Sequence, residues 1–408
     1  MKKVSVYYDG WGEHWLLGTL ADNGQELLFE YSSEALRQGL ELSPANLKLR
    51  AQAYGSFPGH LQRLPGLIAD SLPDGWGLLL MDRLFRKNGV NPASLSPLDR
   101  LAFVGDRAIG GLTYEPANAL ELTAQDLDLL DLARQVQTVV TGKDSDALRQ
   151  LAVLGGSPHG ARPKVLVYYN ASTGSMSSTA VSGSAPWLVK FPAQDEHKEV
   201  CGLEDLYAQL ARDCGLEIPE TRYFDVDKKF AAFGVARFDI ENGLRVPLHT
   251  LAGALHADFR LASAVDYTTF LRATRMFTLD EREVQKAYAR AVFNVAFNNR
   301  DDHSKNFSYR LARDRRWRLA PCYDLTFCEG PGGEHQMDVC GEGRNITRAD
   351  MLELARQGGV DIRWAGEALA RTLDQAERFG QLARQRSFRA TTRKRIEAAI
   401  DANCRRLR

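Results

Sequence analysis

Asp301, His303 and Asn306 fit the pattern D-x-H-x-x-N inside the polar run Asn298-Asn299-Arg300-Asp301-Asp302-His303-Ser304-Lys305-Asn306, and Asp324 follows after a short hairpin. Side chains of these types, this dense, hold metal or move protons. Phosphoryl transfer from ATP asks for such parts in this order. One Asp orients the acceptor hydroxyl and takes its proton, and an Asn a few residues on reaches magnesium. The chain then reverses, and a second Asp binds the magnesium that bridges the phosphates. Magnesium prefers hard oxygen donors of this kind. The same chemistry needs a Gly-rich loop and a strand lysine upstream. The sequence supplies Gly155-Gly156-Ser157-Pro158-His159-Gly160-Ala161-Arg162-Pro163-Lys164 and then Lys190. Taken singly, each feature is weak. A short Asp-His-Asn loop is often a turn with satisfied side chains, most Gly-rich runs are only turns, and Lys190 suits an edge strand. Their joint order carries the reading.

These residues need elements to hold them. Val284, Ala287, Tyr288, Ala291, Val292, Val295 and Ala296 repeat at helical spacing and predict a buried helix running straight into the polar cluster. Phe307 to Leu311 and Trp317 to Ala320 read as a hairpin that returns the chain to Cys322-Tyr323-Asp324-Leu325. Upstream, Val165 to Tyr169 and Trp187 to Phe191 read as strands, the second carrying Lys190. Ala171 to Ser184 between them is rich in Ser, Thr, Gly and Ala and reads as a flexible hairpin tip. A helix is expected from about Val200 to Asp213, then strands near 221–226 and 230–238. Residues 1–31 alternate apolar and polar positions across Asp9-Gly10 and Asp22-Asn23-Gly24 turns and predict a β-meander. Further helices are expected at Leu78 to Phe85, at about 123–141 with Thr123 as cap, and at 145–154. Val104 to Tyr114 reads as a closing strand region, and about 348–408 as helical.

Composition narrows the class. The chain has 408 residues, 44% apolar and 25% charged, with Lys plus Arg and Asp plus Glu both at 52. That excludes a disordered or fibrous chain and gives no global reason for nucleic-acid or anionic-membrane binding. The basic residues Arg393, Lys394, Arg395, Arg405, Arg406 and Arg408 read most simply as a solvated helix face. Trp11, Trp15 and Trp76 read as core. The six cysteines include no C-x-x-C pair, so a zinc ribbon is not expected and the thiols read as reduced and cytoplasmic. The first residues read as a strand, not as a signal peptide, and no run approaches the roughly 18 apolar residues of a membrane span.

The motifs resemble those of the HipA family of toxin kinases. Asp301-x-His303-x-Lys305-Asn306-Phe307-Ser308 followed by Tyr323-Asp324 is the most specific match. Val189-Lys190-Phe191-Pro192 is similar to the family's nucleotide-lysine strand, and Ala236-Arg237-Phe238-Asp239 to the strand leading past the adenine. Ser71-Leu72-Pro73-Asp74-Gly75-Trp76-Gly77 resembles a hallmark of the family's N-terminal subdomain. The resemblance covers nearly the whole chain. It implies an α+β fold, two-lobed and protein-kinase-like with phosphatidylinositol-kinase-like features, having a β-rich N-terminal subdomain (1–116), a nucleotide-binding N-lobe (117–244) and an all-α or mainly helical catalytic C-lobe (245–408).

The resemblance further implies a cytoplasmic, ATP- and Mg2+-dependent protein Ser/Thr kinase that phosphorylates a translation component such as an aminoacyl-tRNA synthetase. Its expected partner is a small helix-turn-helix antitoxin, with DNA reached only through that antitoxin and no membrane involved. Asp301 takes the catalytic role, with His303 bracing the loop and Lys305 neutralising phosphate charge. Asn306 and Asp324 become the magnesium ligands. Lys190 contacts the α/β-phosphates, the loop from Ser157 through Gly160 and Ala161 to Lys164 covers the nucleotide, and Ala236 and Phe238 flank the adenine. Ser157 is the implied autophosphorylation site. Two departures stand out: Arg162-Pro163 in the loop, and Ala236 where an acidic residue is expected. The helix partner of Lys190 is Glu204 or Asp205. A small-molecule kinase of the same fold, or an inactive partner of a DNA-binding repressor, are the alternative readings.

Overall fold

Alternation of apolar and polar side chains at the amino terminus builds the first sheet. β1 (Lys2–Tyr8) buries Val4, Val6 and Tyr8 on one face, as a strand with one face on a core must. β2 (Trp15–Asp22) and β3 (Leu27–Tyr31) follow in antiparallel register, and Tyr8 stacks on Trp15 with ring centroids 4.6 Å apart. α1 (Ser33–Gln38), β4 (Ala53–Tyr54), α2 (Gly66–Ala69), α3 (Gly75–Lys87) and α4 (Pro97–Val104) precede β5 (Leu112–Glu115), which pairs with β1. The sheet order is β4-β3-β2-β1-β5. The structure is a computed structural model, and it describes residues 2–117, 126–142, 148–155 and 158–408.

The second sheet carries the nucleotide-site candidates. β6 (Asp126–Leu127), α5 (Leu129–Val140) and α6 (Leu148–Gly155) lead into β7 (Lys164–Tyr169), β8 (Met176–Ser177) and β9 (Ala185–Lys190). After α7 (Glu199–Asp213) come β10 (Thr221–Asp225) and β11 (Ala231–Ala236). The strands run β10-β11-β9-β7-β8-β6. Val165, Val167, Tyr169, Trp187, Val189 and Phe233 form its apolar interior. β12 (Ile240–Glu241) and β13 (Leu244–Arg245) make a hairpin across Asn242-Gly243, both at positive φ, the geometry of a tight two-residue turn. β14 (Leu248–Thr250) and α8 (Leu251–Leu255) follow.

α9 (Tyr267–Thr278) and α10 (Glu281–Ala296) begin the mainly helical part. α10 is the helix expected from spacing. All seven apolar residues named for it are at most 3% exposed, so this helix is buried between α9, α12 (Ile362–Glu377) and α14 (Ala390–Leu407), with α11 (Arg348–Gly358) and α13 (Phe379–Arg384) completing the set. β15 (Ser308–Leu311) and β16 (Trp317–Leu319) form the expected hairpin. Phe277 stacks on Tyr309 at 4.6 Å and Phe270 meets Phe307 at 4.5 Å, fixing the hairpin to α9. The chain divides into two compact units: Met1–Cys201 with Glu220–His249 and Gly253–His256, and Gly202–Pro219 with Thr250–Ala252 and Ala257–Arg408. Among the described residues no helix is long and apolar enough to cross a membrane.

Some local expectations change. Residues 171–184 are not merely a hairpin tip: Met176 and Ser177 form β8, paired with both β7 and β6 and nearly fully buried. One methionine opposite Tyr169 supplies the apolar anchor that the polar composition conceals. The helix expected from 123 begins instead at Leu129, because Asp128 accepts a hydrogen bond from the Asp131 amide and caps it; Thr123 lies outside the described residues. The helix expected over 145–154 is described from Leu148. The 104–114 strand region contracts to β5: Val104 ends α4, whose start is set by a capping box between Ser96 and Asp99 with Pro97 in the first turn, and residues 105–111 between them are irregular. Trp15 and Trp76 are core, whereas Trp11 is half-buried at positive φ.

A histidine cluster in the first unit gives the fold a pH signature. His256 Nε2 accepts the Gly66 amide at 3.0 Å, and His60 Nε2 lies 3.0 Å from the His256 carbonyl. Burial, reinforced by His249 and His60 and opposed by Asp70, pushes the His256 imidazole down to about 4. The unfolded chain takes this proton near pH 6.5, the folded chain only near 4. Stability from this group is therefore full above pH 6.5 and is lost as pH falls through that window. Melting temperatures measured from pH 7.5 to 4 are expected to fall less steeply for His256→Gln, which keeps an acceptor for the Gly66 amide without titrating. Parallel curves for the two proteins would show that His256 does not contribute.

Candidate active site

In the second unit, α10 delivers the polar cluster. The helix ends at Phe297, and Asn298 follows at φ 54, a left-handed conformation that Asn tolerates better than most residues. Asn298 is held from several directions. Its Nδ2 donates to the Cys328 carbonyl at 2.9 Å, its carbonyl accepts the Cys328 amide at 3.1 Å, and Asn403 Nδ2 donates to its Oδ1 at 3.2 Å. Tyr207 donates to the Phe297 carbonyl at 2.7 Å. These bonds tie the start of the cluster to the segment that follows Asp324.

The adjacent carboxylates take opposite environments. The Asp301 side chain is 51% exposed, the Asp302 side chain 0%. Asp302 Oδ2 accepts from the Tyr267 hydroxyl at 2.6 Å and lies 2.7 Å from His335 Nδ1, while Oδ1 accepts the Gln336 amide at 2.8 Å. Burial, and the Asp302 charge beside it, hold the Tyr267 phenol well above its ordinary range, so it remains a donor. Asn294 Nδ2 donates to that same phenol oxygen at 3.0 Å, and Asn299 Nδ2 to Asn294 Oδ1 at 2.9 Å. A connected buried polar network thus lies beneath the loop, and Asp301 is the residue left at the surface.

The other candidates in this unit gather around Asp301. Asn306 Nδ2 donates to the Asp301 carbonyl at 2.7 Å, which turns the other end of the carboxamide, an oxygen, away from that bond. His303 Nε2 is 3.8 Å from Asp301 Oδ1, beyond hydrogen-bond reach, and its ring centroid is 5.2 Å from that of Phe259. Lys305 Nζ lies 4.8 Å from the same Phe259 ring. Tyr323 donates to the Lys305 carbonyl at 2.8 Å, bringing the residue before Asp324 onto the loop. Asp324 is half-buried at φ 58. The side-chain oxygens of Asn306 and Asp324 are hard donors of the type magnesium takes. Two protein ligands completed by water and phosphate is a usual magnesium arrangement, and the donor set fits it.

In the first unit, the β7–β9 register sets Lys164 directly across from Lys190. Cross-strand partners share a face, so both ammonium groups rise from one patch at the foot of the loop, and both residues are at most 7% exposed. Lys164 Nζ donates to the His159 carbonyl, and Lys190 Nζ lies 5.8 Å from the Phe233 ring. Gly160 adopts φ 100, a backbone conformation that residues with a Cβ rarely adopt, so this position favours glycine. Arg162 is held by Glu196 through Nε at 3.1 Å and Nη2 at 2.8 Å; this two-pronged ion pair accounts for one departure from the family pattern. Ala161 is the exposed residue among the described loop positions 158–164. Ser157 and Gly156 lie outside the described residues.

Ala236 ends β11, its amide donating to the Glu220 carbonyl at 2.8 Å, and Phe238 is half-buried just beyond. Arg237 and Asp239 pair at 2.9 and 2.6 Å. Burial alone would push the Asp239 carboxyl up, but Arg237 outweighs it and holds the carboxyl below its ordinary value. Asp239 also accepts the Gly110 amide at 3.3 Å, so this motif braces the 106–112 loop.

Sequence reasoning gave no role to Asp302 or Asn299 and did not single out His335 or Tyr267. The Asp301-Asp302 doublet was visible, but which member is buried depends on packing. Removing the buried one should be structural in effect. Asp302→Ala is expected to cost about 3 kcal/mol in urea unfolding, because it orphans buried donors, whereas Asp301→Ala should stay within about 0.5 kcal/mol as an exposed substitution. Equal losses would contradict this division.

The family model described as HipA-like C-terminal domain matches residues 156–394, and that described as HipA N-terminal domain matches residues 6–115. No curated protein matches the chain. Among solved structures, HipA of the Shewanella oneidensis MR-1 toxin–antitoxin system, determined with HipB and its operator DNA, matches at TM-score 0.71 and 17% identity, over 99% of this chain and 97% of that one. The Helicobacter pylori proinflammatory kinase CtkA matches over 56% of this chain and 90% of that one, at 14% identity and TM-score 0.38, too low to bear on this chain. The α+β fold expected from the resemblance, β-rich in its amino-terminal part and mainly helical towards the carboxyl terminus, is the fold found, and with family domains matched over most of its length the chain belongs to the HipA family.

Proposed function

We propose that the chain is an ATP- and magnesium-dependent protein Ser/Thr kinase, acting in the cytoplasm as the toxin of a toxin–antitoxin pair. The observation that carries this reading is the pairing of an exposed Asp301 with a backbone fixed from below by Asp302, and with Asn306 bonded to the Asp301 carbonyl. A general base must be reachable by the acceptor hydroxyl and held in place, and Asp301 meets both conditions. Its carboxylate takes the hydroxyl proton as the oxygen attacks the γ-phosphorus and the bond from that phosphorus to the β–γ bridging oxygen breaks, so that ADP leaves carrying the bond's electron pair. Asn306 and Asp324 hold Mg2+, which supplies charge neutralisation at the phosphates when bound. In this reading Lys190 contacts the α/β-phosphates, the loop that ends at Lys164 covers the nucleotide, and Lys305 neutralises phosphate charge.

The substrate class proposed is a protein hydroxyl on a component of translation, such as an aminoacyl-tRNA synthetase. The partner proposed is a small helix-turn-helix antitoxin through which DNA is reached, in keeping with the HipB and operator DNA present with the Shewanella relative. Ser157, in the nucleotide loop by sequence, is the proposed autophosphorylation site. A phosphate there adds about −1.5 to −2 charges, which repel ATP or pair with loop cations.

Asp301→Ala is expected to lower phosphate transfer about 10²–10⁴-fold while the thermal shift given by ATP with Mg2+ persists. Transfer at the unaltered rate would refute the assignment of the base. Asn306→Ala and Asp324→Ala should remove the magnesium-dependent part of that shift. Phosphoproteomics after induced expression should show an enriched phosphoprotein; none would point to a small-molecule acceptor. Intact-mass analysis after incubation with ATP and Mg2+ should show added phosphate that Ser157→Ala abolishes.

A further inference from the structure

The Ser71–Gly77 segment and the 158–164 loop, flagged separately in the sequence, meet within the first unit. Asp74 stands at the N-cap of α3, where Asp ordinarily accepts a hydrogen bond from its own helix, yet its side chain makes no such bond. Asp74 Oδ1 instead accepts the Gly160 amide at 2.5 Å. The Trp76 amide donates to the Gly160 carbonyl at 3.1 Å, so one short turn grips both polar groups of that peptide residue. The Trp76 indole donates to the Lys164 carbonyl at 3.0 Å, and His159 Nε2 lies 3.0 Å from the Leu72 carbonyl. The grip therefore extends from His159 to the strand position opposite Lys190.

The approach is as close as backbones allow. Gly75 has φ 42, and a Cβ there would lie 2.6 Å from the Gly160 carbonyl oxygen and 2.8 Å from the Ala161 Cα. A Cβ on Gly155 would lie 2.5 Å from the Lys164 carbonyl oxygen and 3.0 Å from the Trp76 indole nitrogen. Trp76 itself is 3% exposed, so its indole is fixed by the core of the unit. A core element thus reaches into the loop and adds to the hold already given by the Arg162–Glu196 pair and the Lys164 bond to the His159 carbonyl.

We infer that Asp74 and Trp76 are positioning residues for a nucleoside triphosphate, holding the 158–164 loop in the one conformation that receives its phosphates. The inference rests on the nucleotide reading of that loop. Affinity scales with the fraction of molecules in the binding-competent state, so releasing the loop weakens ATP binding without altering groups that act on the transferred phosphate. The expected signature is a raised KM for ATP at nearly constant kcat.

The test uses the full chain with ATP and Mg2+, titrated by calorimetry, alongside amide hydrogen exchange over 158–164 and steady-state kinetics. Asp74→Ala should raise the ATP Kd and KM about tenfold, speed exchange in the loop, and leave kcat within about twofold. Asp74→Asn, which keeps an acceptor oxygen, should recover most of the affinity. Trp76→Phe, which removes the indole N–H donor together with part of a buried ring, should give a change in the same direction, with its melting temperature measured alongside to separate the loss of packing. Unchanged affinity and exchange in Asp74→Ala would overturn the inference. Tighter ATP binding would overturn it too, by making Asp74 a competitor for the Gly160 amide. If the unaltered chain binds no ATP, the nucleotide reading itself falls, and this outcome is distinct because it precedes any substitution.

Discussion

A buried, ionisable carboxylate that must find its donors fixes the geometry of the second unit. Asp302 lies in the loop that follows a core helix, out of contact with water, and such a charge is tolerated only when paired and hydrogen-bonded. Its partners come from well-separated parts of the chain: Tyr267 at the start of α9, and His335 and Gln336 beyond the β15–β16 hairpin. Satisfying one residue therefore fixes the mutual position of a helix and a long loop. Because successive residues leave the loop in different directions, burying Asp302 presents Asp301 outward. The exposed carboxylate is positioned by the burial of its neighbour.

A comparable logic runs through the first unit with backbone groups in place of a charge. A Gly-rich loop has polar amides and little side-chain packing to hold them. Here the amide and carbonyl of Gly160 are taken up by Asp74 and Trp76, and the loop end by the indole of Trp76. The glycines serve the approach as much as the loop's freedom, since Gly75 and Gly160 leave room for two backbones to touch. The amino-terminal sheet thereby does more than add mass: one of its connecting segments becomes part of the wall of a neighbouring loop.

Much of this was legible in sequence. The spacing from Val284 to Ala296 named α10, and the order of Asp301, Asn306, the hairpin and Asp324 named the loop it leads to. The pairing of Lys164 with Lys190 follows from two strands whose ends were set nearly correctly. What escaped was long-range. Nothing near His335 marks it as a partner of Asp302, and nothing near Asp74 says that its carboxylate will abandon its own helix. β8 escaped for the opposite reason: its segment is locally polar, and only the register against Tyr169 makes Met176 a core residue. Periodicity reports the neighbours along an element, whereas these contacts depend on which elements the fold sets side by side.

The backbone at Asp324 is held by the same hydrogen-bonded surroundings as the loop. Asp324 and Asn298 both adopt left-handed conformations, which Asn and Asp tolerate better than other side chains but still at some cost relative to glycine. Such a conformation persists only where the surroundings over-determine it. The surroundings here are specific. The Cys322 amide donates to the Glu217 carbonyl at 2.8 Å, and the Cys328 amide to the Asn298 carbonyl at 3.1 Å, so the segment containing Asp324 is fixed at both ends. Asn299 forms a parallel bridge with Cys328, and the Tyr323 hydroxyl reaches the Lys305 carbonyl. The strained residue and the exposed Asp301 thus belong to one hydrogen-bonded assembly. The bonds at each end of the segment offset the cost of keeping Asp324 in that conformation.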